Sequence, residues 1–209
     1  MQLTNYYWYF KSAIPHRICD DIVRYGKSIQ DQMAVTGGLG NKKLNKNQVK
    51  DLKKKRDSNI VWMNDRWIYK EIQPYIHQAN QNAGWNFQWD FSESCQFTKY
   101  EKGQFYDWHC DGWDKPYIRE DTNAPDHGKI RKLSVTVTLS DPKDYKGGEL
   151  EFDFRNLDPD KKRNVKKCKE ILPKGSLVVF PGFVWHRVCP VKSGSRHSLV
   201  IWNLGWPFK

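Results

Sequence analysis

In the stretch FYDWHCDGW, residues 105–113, His109 and Asp111 stand two apart among aromatic residues. On an extended backbone alternate side chains share a face, so this imidazole and this carboxylate can converge on one ion without special loop geometry. The chain has 6 histidines and 24 acidic residues, so a single His-x-acid pair is close to chance and needs partners. The third ligand has five histidine candidates. His16 and His77 fall in helical patterns, and His127 lies in the polar loop NAPDHGK. His197 alternates with Leu199 and Ile201 and shares their apolar face. His186 closes VVFPGFVWH, an apolar strand followed by a turn, and is the best placed.

Arg196 follows His186 on the next expected strand, with Ser198 on the same face. An inward arginine is costly unless a carboxylate or phosphate answers it, and its planar fork suits a bidentate carboxylate. Two histidines and one carboxylate leave metal positions open, the arrangement used by non-haem Fe(II) oxygenases. The competing reading is a buried, hydrogen-bonded His–Asp pair with a structural arginine.

These residues need strands to hold them. From about residue 85 short segments alternate with period two: SCQFTKY (94–100), RKLSVTVTLS (131–140), GELEFDF (148–154), GSLVVF (175–180) and RHSLVIW (196–202). In the clearest of them Leu133, Val135, Val137 and Leu139 alternate with Ser134, Thr136 and Thr138. Upstream, Ile18, Ile22, Tyr25, Ile29 and Met33 predict an amphipathic helix over 16–35, ended by GGLG at 37–40. A second helix is expected over about 65–83, with Ile68, Ile72, Ile76 and Ala79 on one face, Asp65 as its cap and Pro74 as a possible kink. Between them the basic run 42–56 reads as a solvated connector. Helices first and many short strands after predict a mainly β, α+β fold. It is a closed or nearly closed barrel (85–209) with supporting helices (1–84) in one domain.

The net charge of +11 allows an anionic partner. Five cysteines without a CxxC suggest neither a disulfide framework nor a zinc knuckle, and fit reduced thiols in the cytoplasm. The first residues lack the pattern of a signal peptide, and LVVFPGFVW is too short and interrupted to span a bilayer, so no membrane is expected.

The segments YEKGQFYDWHCD (100–111), RKLSVTVTLSDPKDYKGGELEF (131–152) and GSLVVFPGFVWHRVCPVKSGSRHSLVIWNLGWPF (175–208) together resemble the 2-oxoglutarate- and Fe(II)-dependent dioxygenases of the prolyl 4-hydroxylase-like superfamily. The resemblance implies a double-stranded β-helix (jelly-roll, cupin-like) barrel. It implies Fe(II) held by His109, Asp111 and His186, with 2-oxoglutarate and O2 as cosubstrates and ascorbate as a reductant. Arg196 would receive the distal carboxylate of 2-oxoglutarate, assisted by Ser198 and Tyr100, with Leu150 walling the pocket. Thr138 stands where several relatives have a second tyrosine, which leaves more weight on Tyr100. Tyr106 and Arg131 match positions that line the peptide groove of prolyl hydroxylases. Trp202, by parity with Arg196, and Trp113, on the loop 112–130, complete the expected substrate contacts.

The implied reaction couples decarboxylation of 2-oxoglutarate to hydroxylation of a C–H bond, releasing succinate and CO2. The intact Asp111 favours hydroxylation over halogenation, since related halogenases have a small residue there. The expected substrate is a prolyl residue in a peptide or protein, and the chain is taken as a monomer. Free proline or another small molecule is the alternative. A nucleic-acid dealkylating dioxygenase fits less well, because such relatives usually carry a second arginine where this chain has Trp202. A ligand-binding barrel without catalysis stands last.

Overall fold

The computed structural model describes residues 3–35, 44–112, 115–154 and 162–208. Along the chain these form β1 (Trp8–Phe10), α1 (His16–Ser28), β2 (Gln32–Met33), α2 (Lys46–Lys55), β3 (Arg56–Asp57), β4 (Asn59–Met63), α3 (Arg66–Asn82), β5 (Phe91–Ser92), β6 (Cys95–Tyr100), β7 (Phe105–His109) and β8 (Ile130–Thr138). There follow β9 (Tyr145–Gly147), β10 (Leu150–Asp153), β11 (Val165–Lys167), β12 (Leu177–Pro181), β13 (Trp185–Val188), β14 (Val191–Gly194) and β15 (Arg196–Gly205).

The strands make two main antiparallel sheets. The larger runs β1-β12-β8-β15-β6-β4-β2, with β5 also on β15; the smaller runs β11-β10-β13-β7-β3. A cavity lies between them, lined from both. This is the jelly-roll arrangement, mainly β with a few helices, although neither sheet closes on itself among the described residues.

The larger sheet is buried on both faces, and its alternating sequence explains how. Leu133, Val135 and Val137 of β8, Phe97 of β6, and Leu199 and Ile201 of β15 face the helices, where they pack against Ile18 and Ile22 of α1 and Ile68, Ile72 and Ile76 of α3. The intervening residues, Thr136, Gln96, Thr98, Arg196 and Ser198, face the cavity. Each buried isoleucine contributes about 1.5–3 kcal/mol, so the helix face fixes the sheet and leaves its other face free for polar work. Contact is close: a Cβ on Gly26 of α1 would lie 2.7 Å from the Phe97 ring.

Several expectations need correction. The first helix ends at Ser28, not 35. Ile29 is already extended and Met33 sits in β2, paired with Asn59, because pairing to β4 outcompetes one more helical turn. The GGLG signal lies outside the described residues. Asp65 occupies the N-cap of α3 but makes no side-chain capping bond, and α3 runs unbroken through Pro74. The basic run is not a loose connector where described. Asn45 and Gln48 form a reciprocal capping box, and Leu52 anchors α2 to the body. Residues 42 and 43 lie outside the described part.

Candidate active site

His109 ends β7 and His186 lies in β13, directly opposite it in the antiparallel register. Their rings are 4.1 Å apart, centroid to centroid. Asp111 follows two residues after His109, in a turn pinned from below: the N–H groups of Asp111 and Gly112 both donate to the Gly182 carbonyl, at 2.9 and 2.8 Å. Glycine at 112 is required by the close approach, since a Cβ there would come within 2.4 Å of the Arg131 carbonyl oxygen. The ligand-type atoms of His109, Asp111 and His186 all lie within 4.8 Å of one another. Nε2 of His109 is 3.6 Å from Asp111 Oδ1, and Nε2 of His186 is 3.4 Å from Oδ2.

The tautomers follow from the backbone. His109 Nδ1 is 2.7 Å from the Asp107 carbonyl, and His186 Nδ1 is 3.0 Å from that of Val184. A carbonyl only accepts, so each Nδ1 carries the proton and each Nε2 lone pair faces Asp111. Burial, reinforced by His186, pushes the His109 imidazole down to about 3. Burial pushes Asp111 up, but His186, His109 and Arg131 outweigh it and hold the carboxyl down at about 2. A neutral imidazole and an ionised carboxylate are the metal-binding forms, and His109 and Asp111 hold those forms across neutral pH. Two imidazole nitrogens and a carboxylate oxygen, converging with their hydrogens turned away, fit a divalent iron with open positions.

Across the cavity, Arg196 is 2% exposed. Its Nη1 donates to Ser198 Oγ at 3.2 Å, and its guanidinium lies 5.5 Å from the Tyr100 ring, its cross-strand partner in β6. Among the described residues it has no carboxylate. Gly148, at φ +65°, lets the β9–β10 connection approach; a Cβ there would meet Arg196 Cδ at 2.8 Å.

The cavity gathers most of the residues singled out from sequence: His109, Asp111, His186, Arg196, Ser198, Tyr100, Leu150, Tyr106 and Trp202 all line it. Tyr106 stacks on His109 at 3.5 Å. Thr138 does not line it; it is buried opposite Ser198, while Thr136, two residues earlier on the same face, lines the wall. Arg131 is not in the cavity wall. It forms a two-pronged ion pair with Glu93 (2.8 and 2.5 Å) and lies 3.8 Å over Trp202, whose indole borders the cavity. Trp113 lies outside the described residues.

Arg56, Gln96, Thr98, Val188 and Val200 also line the cavity and were not anticipated. Gln96 and Thr98 share parity with Tyr100, which was a usable signal. Arg56 was hidden at the end of a lysine run.

Residues 95–203, just over half of the chain, match the family described as the 2OG-Fe(II) oxygenase superfamily. The chain belongs to this superfamily. Its members use Fe(II), 2-oxoglutarate and O2, and the His109–Asp111–His186 cluster is the site here that fits the iron. A PKHD-type hydroxylase of Xanthomonas euvesicatoria is 36% identical over 108 residues, covering 51% of this chain and 42% of that protein. A PKHD-type hydroxylase of a Synechococcus strain is 36% identical over 110 residues, covering 52% and 40%. The matched segment thus spans about two fifths of these curated relatives. Among solved structures, a viral collagen prolyl hydroxylase from Paramecium Bursaria Chlorella virus-1 superposes with a TM-score of 0.63 over 97% of both chains, at 21% identity. A Trichoplax adhaerens prolyl hydroxylase, in complex with a peptide fragment of the hypoxia inducible factor oxygen degradation domain, gives 0.58 at 18% identity, covering 96% of this chain and 84% of that one. These likenesses agree on the fold.

Proposed function

We propose that the chain is a 2-oxoglutarate- and Fe(II)-dependent hydroxylase acting on a prolyl residue in a peptide or protein. The observation that carries the oxygenase reading is the convergence of His109, Asp111 and His186 at one side of a cavity that also holds Arg196, which has no carboxylate partner among the described residues. In this reading His109, Asp111 and His186 would hold the iron. Arg196 takes the distal carboxylate of 2-oxoglutarate with its fork, Ser198 orients the fork, and Tyr100 and Leu150 wall the cosubstrate. Iron, when bound, supplies the oxidative chemistry that splits 2-oxoglutarate to succinate and CO2 and hydroxylates a C–H bond. The chain's own part is to turn both Nε2 atoms toward Asp111 through the backbone contacts of their Nδ1 atoms, to orient the two substrates and to exclude water.

The peptide reading is supported by the aromatic walls and by the loop that follows Asp111. Trp202 borders the cavity and offers an indole surface against which a proline ring can pack, and Tyr106, sandwiched between His109 and Arg56, shapes the wall beside it. In the loop, Tyr117 N–H donates to the Lys129 carbonyl, Gly128 N–H to the Tyr117 carbonyl, and Tyr117 Oη to Glu93. The loop is therefore tied to the Arg131–Glu93 pair beside Trp202. Prolyl hydroxylases among the fold neighbours, one of them in complex with a peptide fragment, support this substrate class.

Proline-bearing peptides incubated with Fe(II), 2-oxoglutarate and O2 should gain about 16 Da, one oxygen atom, on proline. Shortening residues 115–129 should impair this more than uncoupled loss of 2-oxoglutarate. A gain on free proline that survives loop shortening would instead identify a small-molecule hydroxylase.

A further inference from the structure

Arg56 is 5% exposed and lines the same cavity as the iron ligands. It caps the C-terminus of α2, where its backbone N–H donates to the Leu52 carbonyl, and its side chain turns inward from β3. Nε donates to Ser58 Oγ at 3.0 Å and Nη2 to Gln96 Oε1 at 2.5 Å. Its guanidinium lies 4.4 Å from the centre of the Tyr106 ring, which in turn stacks on His109. Every one of these partners is neutral, and among the described residues no carboxylate pairs with Arg56.

The charge of the cavity then does not balance. Its lining carries two guanidiniums, Arg56 and Arg196, against the single carboxylate of Asp111. A divalent iron and the 2-oxoglutarate dianion cancel one another, with the dianion's distal end taken by Arg196. One buried positive charge is left over, in the same cavity and separated from His109 by the Tyr106 ring. A buried cation without a counter-ion is disfavoured by desolvation, and the neutral acceptors Ser58 and Gln96 orient it without cancelling it. A bidentate fork held in place by neutral groups is what an incoming carboxylate needs.

We propose that Arg56 is a specificity-determining residue that receives a carboxylate of the substrate itself. The inference rests on the hydroxylase reading above and narrows it: the target carbon is carried by a molecule with an anion close by. That anion has two possible sources, an acidic or C-terminal carboxylate of a peptide, or the α-carboxylate of a free amino acid.

The test is calorimetric binding to the full chain loaded with Zn(II) and 2-oxoglutarate, which cannot turn over. The probes are matched acid and amide pairs: N-acetyl-prolyl-glutamate against its glutamine counterpart, a prolyl peptide acid against its C-terminal amide, and L-proline against L-prolinamide. In at least one pair the acid should bind about tenfold to a hundredfold more tightly, the range of a charge-assisted bond, and that pair identifies the source. Arg56→Gln should erase the ratio and Arg56→Lys should leave part of it. The wild-type ratio and the lysine variant decide the matter if Arg56→Gln does not fold. A panel in which no acid outbinds its amide overturns the proposal, as does a ratio that survives Arg56→Gln. Failure of the prolyl reading looks different: the acid ratio appears, depends on Arg56, and no oxygen is found on proline.

Discussion

Two arginine environments sit within a few residues of the iron site and differ in one respect. Beside the cavity, Arg131 carries its counter-ion within the chain, clamped by both oxygens of Glu93. Inside the cavity, Arg196 and Arg56 are more deeply buried yet, among the described residues, are held only by hydroxyl, amide and aromatic groups. The first pair is complete without a ligand. Among the described residues the other two have no such partner, and the proposed carboxylates of 2-oxoglutarate and substrate would supply it. A buried cation is thus structural or receptive according to whether the chain itself answers it.

The comparison predicts opposite responses to substitution. Replacing Arg196 by Met should cost little stability, because no carboxylate is stranded, but should weaken 2-oxoglutarate binding by more than a hundredfold. Arg196→Lys keeps the charge without the fork and should weaken it about tenfold to a hundredfold. Isothermal titration with Mn(II) present reads both; unchanged affinity in both variants would place the distal carboxylate elsewhere. Glu93→Ala should do the reverse. It strands Arg131 and should lower stability by about 2–4 kcal/mol in denaturant melts, below the fully buried limit because part of the pair reaches solvent. 2-Oxoglutarate affinity should change little. A Glu93→Ala protein as stable as wild type would remove the basis for calling that pair structural.

His197 extends the contrast to a group that can shed its charge. It is buried behind Arg196, stacked on Phe97, with Ser140 at 3.2 Å from Nδ1 and, among the described residues, no acid paired with it. Burial first, then Lys27, Lys99 and Arg196, push its imidazole down to about 4. The folded state therefore resists a proton that the unfolded chain accepts near 6.5. Stability contributed by this group is full above that value and is lost as pH falls from about 6.5 to about 4, at up to roughly 1.4 kcal/mol per pH unit. His197→Gln should flatten that part of the stability–pH curve of the metal-free protein. A smaller effect is expected at α2: neutralising Lys53, Lys54 and Lys55, which are exposed, should alter stability by under about 0.5 kcal/mol.

Much of this was legible in the sequence because strand parity is a strong code. His109 with Asp111, and Arg196 with Ser198, share faces by counting in twos, and the structure puts all four around one cavity. The same counting sends His197 to the helix side, where it is found. Three things escaped, each for a physical reason. Met33 leaves the helical pattern because strand pairing to Asn59, distant in sequence, decides its state. The ion pair of Arg131 escaped because its partner Glu93 lies 38 positions away and no local pattern announces it. Arg56 reads as one more surface charge after three lysines, and only the turn from α2 into β3 carries it inward.

The most direct test of the account is an anaerobic Fe(II) titration of the wild-type chain and of His109→Ala, Asp111→Ala and His186→Ala, followed by calorimetry in the presence of 2-oxoglutarate. The account predicts one iron per wild-type chain, tighter 2-oxoglutarate binding once iron is present, and loss of iron binding in each variant while circular dichroism shows the fold retained. A folded Asp111→Ala protein that binds iron as tightly as wild type would contradict it.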